Sequence, residues 1–126
     1  MTISANKTHK AANVMYDLGP LRLLIQGDEQ QLKKLLVIFL QTFEQNLLAL
    51  KKAVADNNAR QIEFVAHKIK GSAGQLGAAG IGEIAHEIET MGKEARLENV
   101  RNELDALEES YLQIKPALEA EHSGSR

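Results

Sequence analysis

The run DEQQLKKLLVIFLQTFEQNLLALKKAVADN, residues 28–57, sets Leu32, Leu36, Phe39, Phe43, Leu47, Leu50 and Val54 three or four positions apart. At 3.6 residues per turn that spacing keeps returning to one side of a helix, so the stretch reads as one long amphipathic helix with a continuous apolar stripe. Asp28 is placed to cap its N-terminus, Gln31 three residues on completes a capping-box-like pair, and Gly27 breaks any preceding helix. Upstream, Tyr16 to Gln26 carries Leu18, Leu21, Leu24 and Ile25 around Gly19-Pro20, which reads as a short helix with Pro20 in its first turn. Downstream, a second long helix is expected from Asn57-Asn58 to about Leu76 on Ile62, Val65, Ala66, Ile69, Ala73 and Leu76, ended by Gly77. A third follows from Ala79 to Ala95 on Ile81, Ile84, Ala85, Ile88 and Met91. The fourth runs from Glu98 to about Lys115 on Val100, Leu104, Leu107, Tyr111 and Ile114, with Pro116 expected to stop or kink it. No stretch sustains the period-two alternation of a strand. The expected fold is all-α: an antiparallel up-down-up-down four-helix bundle with a short additional N-terminal helix, because short links force neighbours to run in opposite directions. Residues 1–12 are expected to be a flexible N-terminal segment, 13–119 the bundle domain and 120–126 a flexible C-terminal tail.

A chain of 126 residues is large enough to bury one core without metal or disulfide staples. Fifteen Lys plus Arg against seventeen Asp plus Glu give a net charge of -2, which provides no general attraction to a phosphodiester backbone, so nucleic acid is not an expected partner. The absence of cysteine removes disulfides, thiol nucleophiles and the usual structural zinc sites, and fits a reducing, cytoplasmic setting. The longest apolar run, Leu35 to Leu40, is far short of the roughly 20 residues that cross a bilayer, and MTISANKTHKAAN has no signal-peptide hydrophobic region, so no direct membrane contact is expected. The oligomeric state expected is a monomer.

Of the four histidines, His9 and His122 lie in polar terminal segments. His67 differs: on a helical wheel it falls about 160° from Ile69, whereas the stripe of its helix stays within roughly 60°. Its ring therefore points away from the core. Gly71 and Gly74 lie one and two turns along the same face, each at a cost of about 1 kcal/mol relative to alanine within a helix. Bare backbone beside an imidazole lets another protein come close; the alternative is that these glycines permit packing of the N-terminal helix or a neighbour. Lys70 flanks that face, within reach of a dianion bonded to the ring, while Lys68 points to the other flank. Exposed imidazole, cation and missing side chains suit phosphoryl transfer, in which positioning and charge stabilisation do most of the catalysis.

The run AHKIKGSAGQLGAAGIGEIAHEIE, Ala66 to Glu89, resembles the histidine-phosphotransfer (HPt) family of two-component phosphorelays, whose pattern is approximately A-H-x-L-K-G-S-x-x-x-L-G-A followed by a helix ending L-E. The likeness extends more weakly upstream through Leu21 to Phe43, covering about 100 residues. Ile69 replaces the commoner leucine, Ala73 follows Ser72, and His86 stands where the family requires no histidine. The resemblance implies a four-helix bundle with a short extra helix, phosphorylation at His67, charge assistance from Lys70, and a low surface at Gly71 and Ser72. It implies a phosphorelay intermediate that takes the phosphoryl group from one receiver-domain aspartate and donates it to another, without autokinase activity, and no P-loop or glycine-rich nucleotide loop after a strand is present. Receiver domains of response regulators or hybrid sensor kinases are the implied partners and hold the magnesium, so no cofactor is expected on this chain. The module is expected in the cytoplasm, free or as the terminal domain of a membrane-bound hybrid sensor kinase. The expected docking face comprises Arg60, Phe64, Lys68, Gly71, Ser72, Gly74 and Gln75.

Leu35, Val37 and Ile38 lie off the stripe of the first long helix; either the N-terminal helix covers them or they form an apolar patch that receives the receiver domain. Two other functions compete with the relay: a helical adaptor whose His67 is never phosphorylated, and a metal-binding bundle enzyme. The Glu-x-x-His pair Glu83 to His86 faces outward, unlike the inward carboxylates of di-iron bundles, and leaves at most a weak surface metal site at His86.

Overall fold

The computed structural model describes residues 16–123, which form five helices and no strand. They are α1 (Gly19–Leu24), α2 (Glu29–Ala55), α3 (Ala59–Gln75), α4 (Ala79–Glu94) and α5 (Val100–Ser123). Residues 1–12, expected to be flexible, lie outside the described residues, as do 124–126. The four long helices form a closed ring in which α2 packs on α3 and α5, and α4 packs on α3 and α5. The α3–α4 edge is thus diametrically opposite the α2–α5 edge. No helix among the described residues is long and apolar enough to cross a membrane.

Local chemistry accounts for the ends. Asp28 Oδ1 accepts a hydrogen bond from Gln31 N at 3.1 Å and Asn58 Oδ1 accepts one from Gln61 N at 3.1 Å, so α2 and α3 both carry side-chain N-caps. The capping box at Asp28 is only half formed, because the Asp28 amide donates to Ile25 O instead of to Gln31. Gly77 closes α3 in the left-handed region at φ +65, where a Cβ would stand 2.5 Å from Asp17 O. The backbone of Asp17 donates to Leu76 O at 3.0 Å, tying the N-terminal segment to the α3–α4 turn.

The apolar stripes of the four long helices face inward, with Ile84 and Met91 half-buried, whereas Leu24 of α1, expected on the inner side of its helix, is 78% exposed. Leu36, Phe43, Leu50, Ile62, Val65, Ile69, Ile81, Ile88, Leu107, Tyr111 and Ile114 are buried, and the rings of Phe43 and Tyr111 stack at 4.2 Å between centroids. The expectation that fails is the end of the last helix. Pro116 lies inside α5, which continues to Ser123, so residues 120–123 of the expected tail are helical. Proline removes one backbone hydrogen bond, but the turns beyond it are held by long-range contacts: Leu118 is fully buried, and Glu121 receives Tyr16 Oη at 3.3 Å and Arg22 Nη2 at 3.2 Å. Arg22 also pairs with Glu29, which fastens α1 across the end of the bundle.

Gly92 sets the α3–α4 spacing. A Cβ there would meet Glu63 N at 2.7 Å and Ala59 O at 2.8 Å, both backbone atoms of α3 that cannot swing aside. Overpacking of this kind costs typically 1–3 kcal/mol, while the gain in helix propensity returns about 1 kcal/mol. Gly92→Ala is therefore expected to lower the unfolding free energy by up to about 2 kcal/mol in urea denaturation, despite alanine being the better helix former.

Candidate functional site

His67 stands midway along α3 with its side chain 67% exposed. Around it Gly71 and Gly74 are also exposed, and a Cβ built on either would meet nothing within 4 Å. Among the described residues nothing packs on either glycine, so packing does not account for them there. They leave bare helix surface beside the imidazole.

The ring is held from α4. His67 Nδ1 lies 2.8 Å from Glu89 Oε2. Glu89 is largely buried, and Lys70 Nζ stands 2.7 Å from its Oε1 in an ion-pair contact poorly aligned for a directed hydrogen bond. Burial of Glu89 works against its charge, but the Lys70 ammonium and the His67 ring outweigh that effect and hold the carboxyl below the usual glutamate range. An ionised carboxylate only accepts, so Nδ1 of His67 carries the proton and, in the neutral ring, Nε2 keeps its lone pair.

A second imidazole borders the same cluster. His86 Nδ1 lies 3.5 Å from Lys70 Nζ and 3.8 Å from Glu89 Oε1. An ammonium has no lone pair and only donates, so Lys70 is the donor in a contact at the outer limit of hydrogen-bond distance, while the Glu89 carboxylate 3.8 Å away favours a proton on the same nitrogen. A lysine ammonium this close opposes a metal ion at His86, and no group of three or more His, Asp or Glu side chains is poised to hold one among the described residues.

The remaining docking-face residues fall into two hollows on either side of His67. Arg60, Glu63 and Phe64 join His67 and Glu89 around an open cleft of ≈ 400 Å³ toward the start of α3. Phe64 is exposed, with Lys68 Nζ 4.9 Å above its ring, a cation–π contact that turns Lys68 away from the His67–Glu89 cluster. Toward the end of α3, Ser72 and Gln75 form one wall of a groove of ≈ 230 Å³ with Leu21, Leu35, Ile38 and Leu76. Of the apolar residues off the α2 stripe, Leu35 is half-buried in the groove that α1 walls through Leu21, Val37 is half-buried outside it, and Ile38 remains 57% exposed on its rim. Glu89, which ends the run that resembles the HPt pattern, is the site residue whose contact with His67 the sequence did not reveal.

The Hpt domain family model matches residues 34–117, well over half of the chain. No curated protein matches it. Among solved structures, the crystal structure of histidine-containing phosphotransfer protein B (HptB) from Pseudomonas aeruginosa PAO1 aligns with a TM-score of 0.79 at 20% identity, covering 89% of this chain and 97% of that chain. That likeness establishes the helical-bundle fold.

Proposed function

This chain belongs to the Hpt domain family, which serves histidine phosphotransfer in phosphorelays, and from that membership we propose that His67 is its phosphoryl carrier. The observation that carries the reading is the 2.8 Å contact from His67 Nδ1 to Glu89 Oε2 in a ring two-thirds exposed. With the proton kept on Nδ1, Nε2 attacks the phosphorus of a receiver-domain aspartyl phosphate; the N–P bond forms as the P–O bond to the aspartate breaks, and the carboxylate leaves with its electron pair. The positive charge that develops on the phosphorylated ring is shared with Glu89, and Lys70 is near enough to offset the incoming dianion. Donation to a second receiver aspartate is the reverse of this step.

The receiver supplies the aspartate and holds the magnesium, and the chain contributes no nucleotide site or autokinase activity. A relay between receiver domains operates in the cytoplasm. The clearing at Gly71 and Gly74 admits the receiver, and the two hollows flanking His67 receive its edges over a transient interface of at most about 1,200 Å² in total.

Incubation with a labelled phosphoreceiver tests the reading: the chain should acquire an acid-labile, base-stable phosphate, whereas an adaptor would bind and remain unlabelled. The clearing itself is tested by Gly71→Leu. Among the described residues nothing lies within 4 Å of a Cβ there, so stability should rise by about 0.5–1 kcal/mol through helix propensity. The initial rate of transfer from the phosphoreceiver should nevertheless drop at least about tenfold, the equivalent of about 1.4 kcal/mol lost from the docked state. A variant that is both more stable and equally fast would refute close approach at this face.

A further inference from the structure

We propose that the α2–α5 edge, opposite His67, is a docking surface for a second copy of this chain. Two octapeptides, EQNLLALK at 44–51 on α2 and EESYLQIK at 108–115 on α5, place Glu, Leu and Lys at the same three positions. The helices run antiparallel, so Lys115 Nζ meets Glu44 Oε2 at 2.7 Å and Lys51 Nζ meets Glu108 Oε2 at 2.7 Å. Leu48 and Leu112 lie between these pairs, 68% and 55% exposed, over a groove of ≈ 250 Å³.

Seen face-on, the four charges form a checkerboard: glutamate and lysine in one row, lysine and glutamate in the other, with the leucines in the middle. A two-fold axis lying in the plane of this face, whether along the helices or across them, sets every glutamate over a lysine and every leucine over a leucine. The surface is therefore complementary to itself in both orientations and repels itself in neither. Within one copy these exposed ion pairs contribute little. In a pair of copies each charge gains a second opposite neighbour, and the leucines, which a lone bundle leaves in water, are covered. The His67 edges of the two copies point outward and remain open to partners, so the pairing is compatible with the relay and independent of it. It departs from the monomer expected on sequence alone.

Sedimentation equilibrium of the full chain over a concentration series decides the matter. The wild type should rise from 13.9 kDa toward double that mass as concentration increases. Leu48→Glu, at an exposed position where helical content should be unchanged by circular dichroism, should stay at 13.9 kDa throughout. The pair Glu44→Lys with Glu108→Lys makes the patch wholly cationic, and Lys51→Glu with Lys115→Glu makes it wholly anionic. Each should be monomeric alone, and their mixture should regain the dimer. A wild type that remains at 13.9 kDa at every concentration, or a dimer that survives Leu48→Glu, would overturn the proposal.

Discussion

His67→Gln should abolish phosphoryl acceptance from a receiver domain, lowering label incorporation to background. An imidazole nitrogen is a nucleophile and a carboxamide is not, and loss of the attacking atom removes the covalent step entirely, with nothing left but docking. The fold should be untouched: the side chain is 67% exposed, and surface substitutions of this kind change stability by about 0.5 kcal/mol or less. The informative control is the neighbouring ring. His86 is nearly as exposed at 62% and shares Lys70, so exposure alone does not choose between the two. The carboxylate does. Glu89 Oε2 lies 2.8 Å from Nδ1 of His67, which keeps the proton there and leaves Nε2 free to attack, whereas Nδ1 of His86 stands 3.8 Å from Glu89 Oε1 and lacks that hold. His86→Gln should therefore retain labelling, and persistent label in His67→Gln would move the carrier to another side chain.

The bundle could be read almost entirely from periodicity, because a stripe recurring every three or four residues depends on burial alone and every stripe residue of α3 is indeed buried. The boundary that failed, at Pro116, failed for a related reason. Local propensity says that proline ends a helix, and it omits Leu118 in the core and Glu121 reaching Tyr16 and Arg22 some 100 positions away. The site divides along the same line. His67, Lys70, Gly71 and Gly74 share one helix, so spacing places them on one face. Glu89 and His86 come from the next helix, and no single-helix wheel relates them to His67. The hairpin nonetheless held a clue. Around Ala78 in the α3–α4 turn, His67 and Glu89 are each eleven residues away and Lys70 and His86 each eight, which in an antiparallel pair puts them at matching heights. Matching heights bring side chains near each other but leave tautomers and ion pairs to the coordinates.

Glu89→Gln should slow phosphoryl acceptance by about a hundredfold while leaving receiver affinity unchanged, the scale on which removal of one oriented electrostatic partner acts on a transition state. The carboxamide still fits, and its oxygen still accepts from Nδ1, but the negative charge that balances the phosphorylated ring is gone and Lys70 loses its counter-ion. Because only 17% of the Glu89 side chain is exposed where it lines the cleft beside His67, binding should change far less than the rate; a parallel loss of affinity would mean that the residue shapes the docking surface instead. The pH dependence of stability provides an independent measure. Glu89 is held below its ordinary value of 4.5 in the folded chain, so its contribution to stability is complete above that value and disappears as the pH falls through the lowered one. The wild type should therefore lose stability more steeply than Glu89→Gln in acid below about 4.5. Unchanged transfer in Glu89→Gln would show that the negative charge of this carboxylate takes no part in the step, and that a hydrogen-bond acceptor at Nδ1 is all the transfer needs from this position.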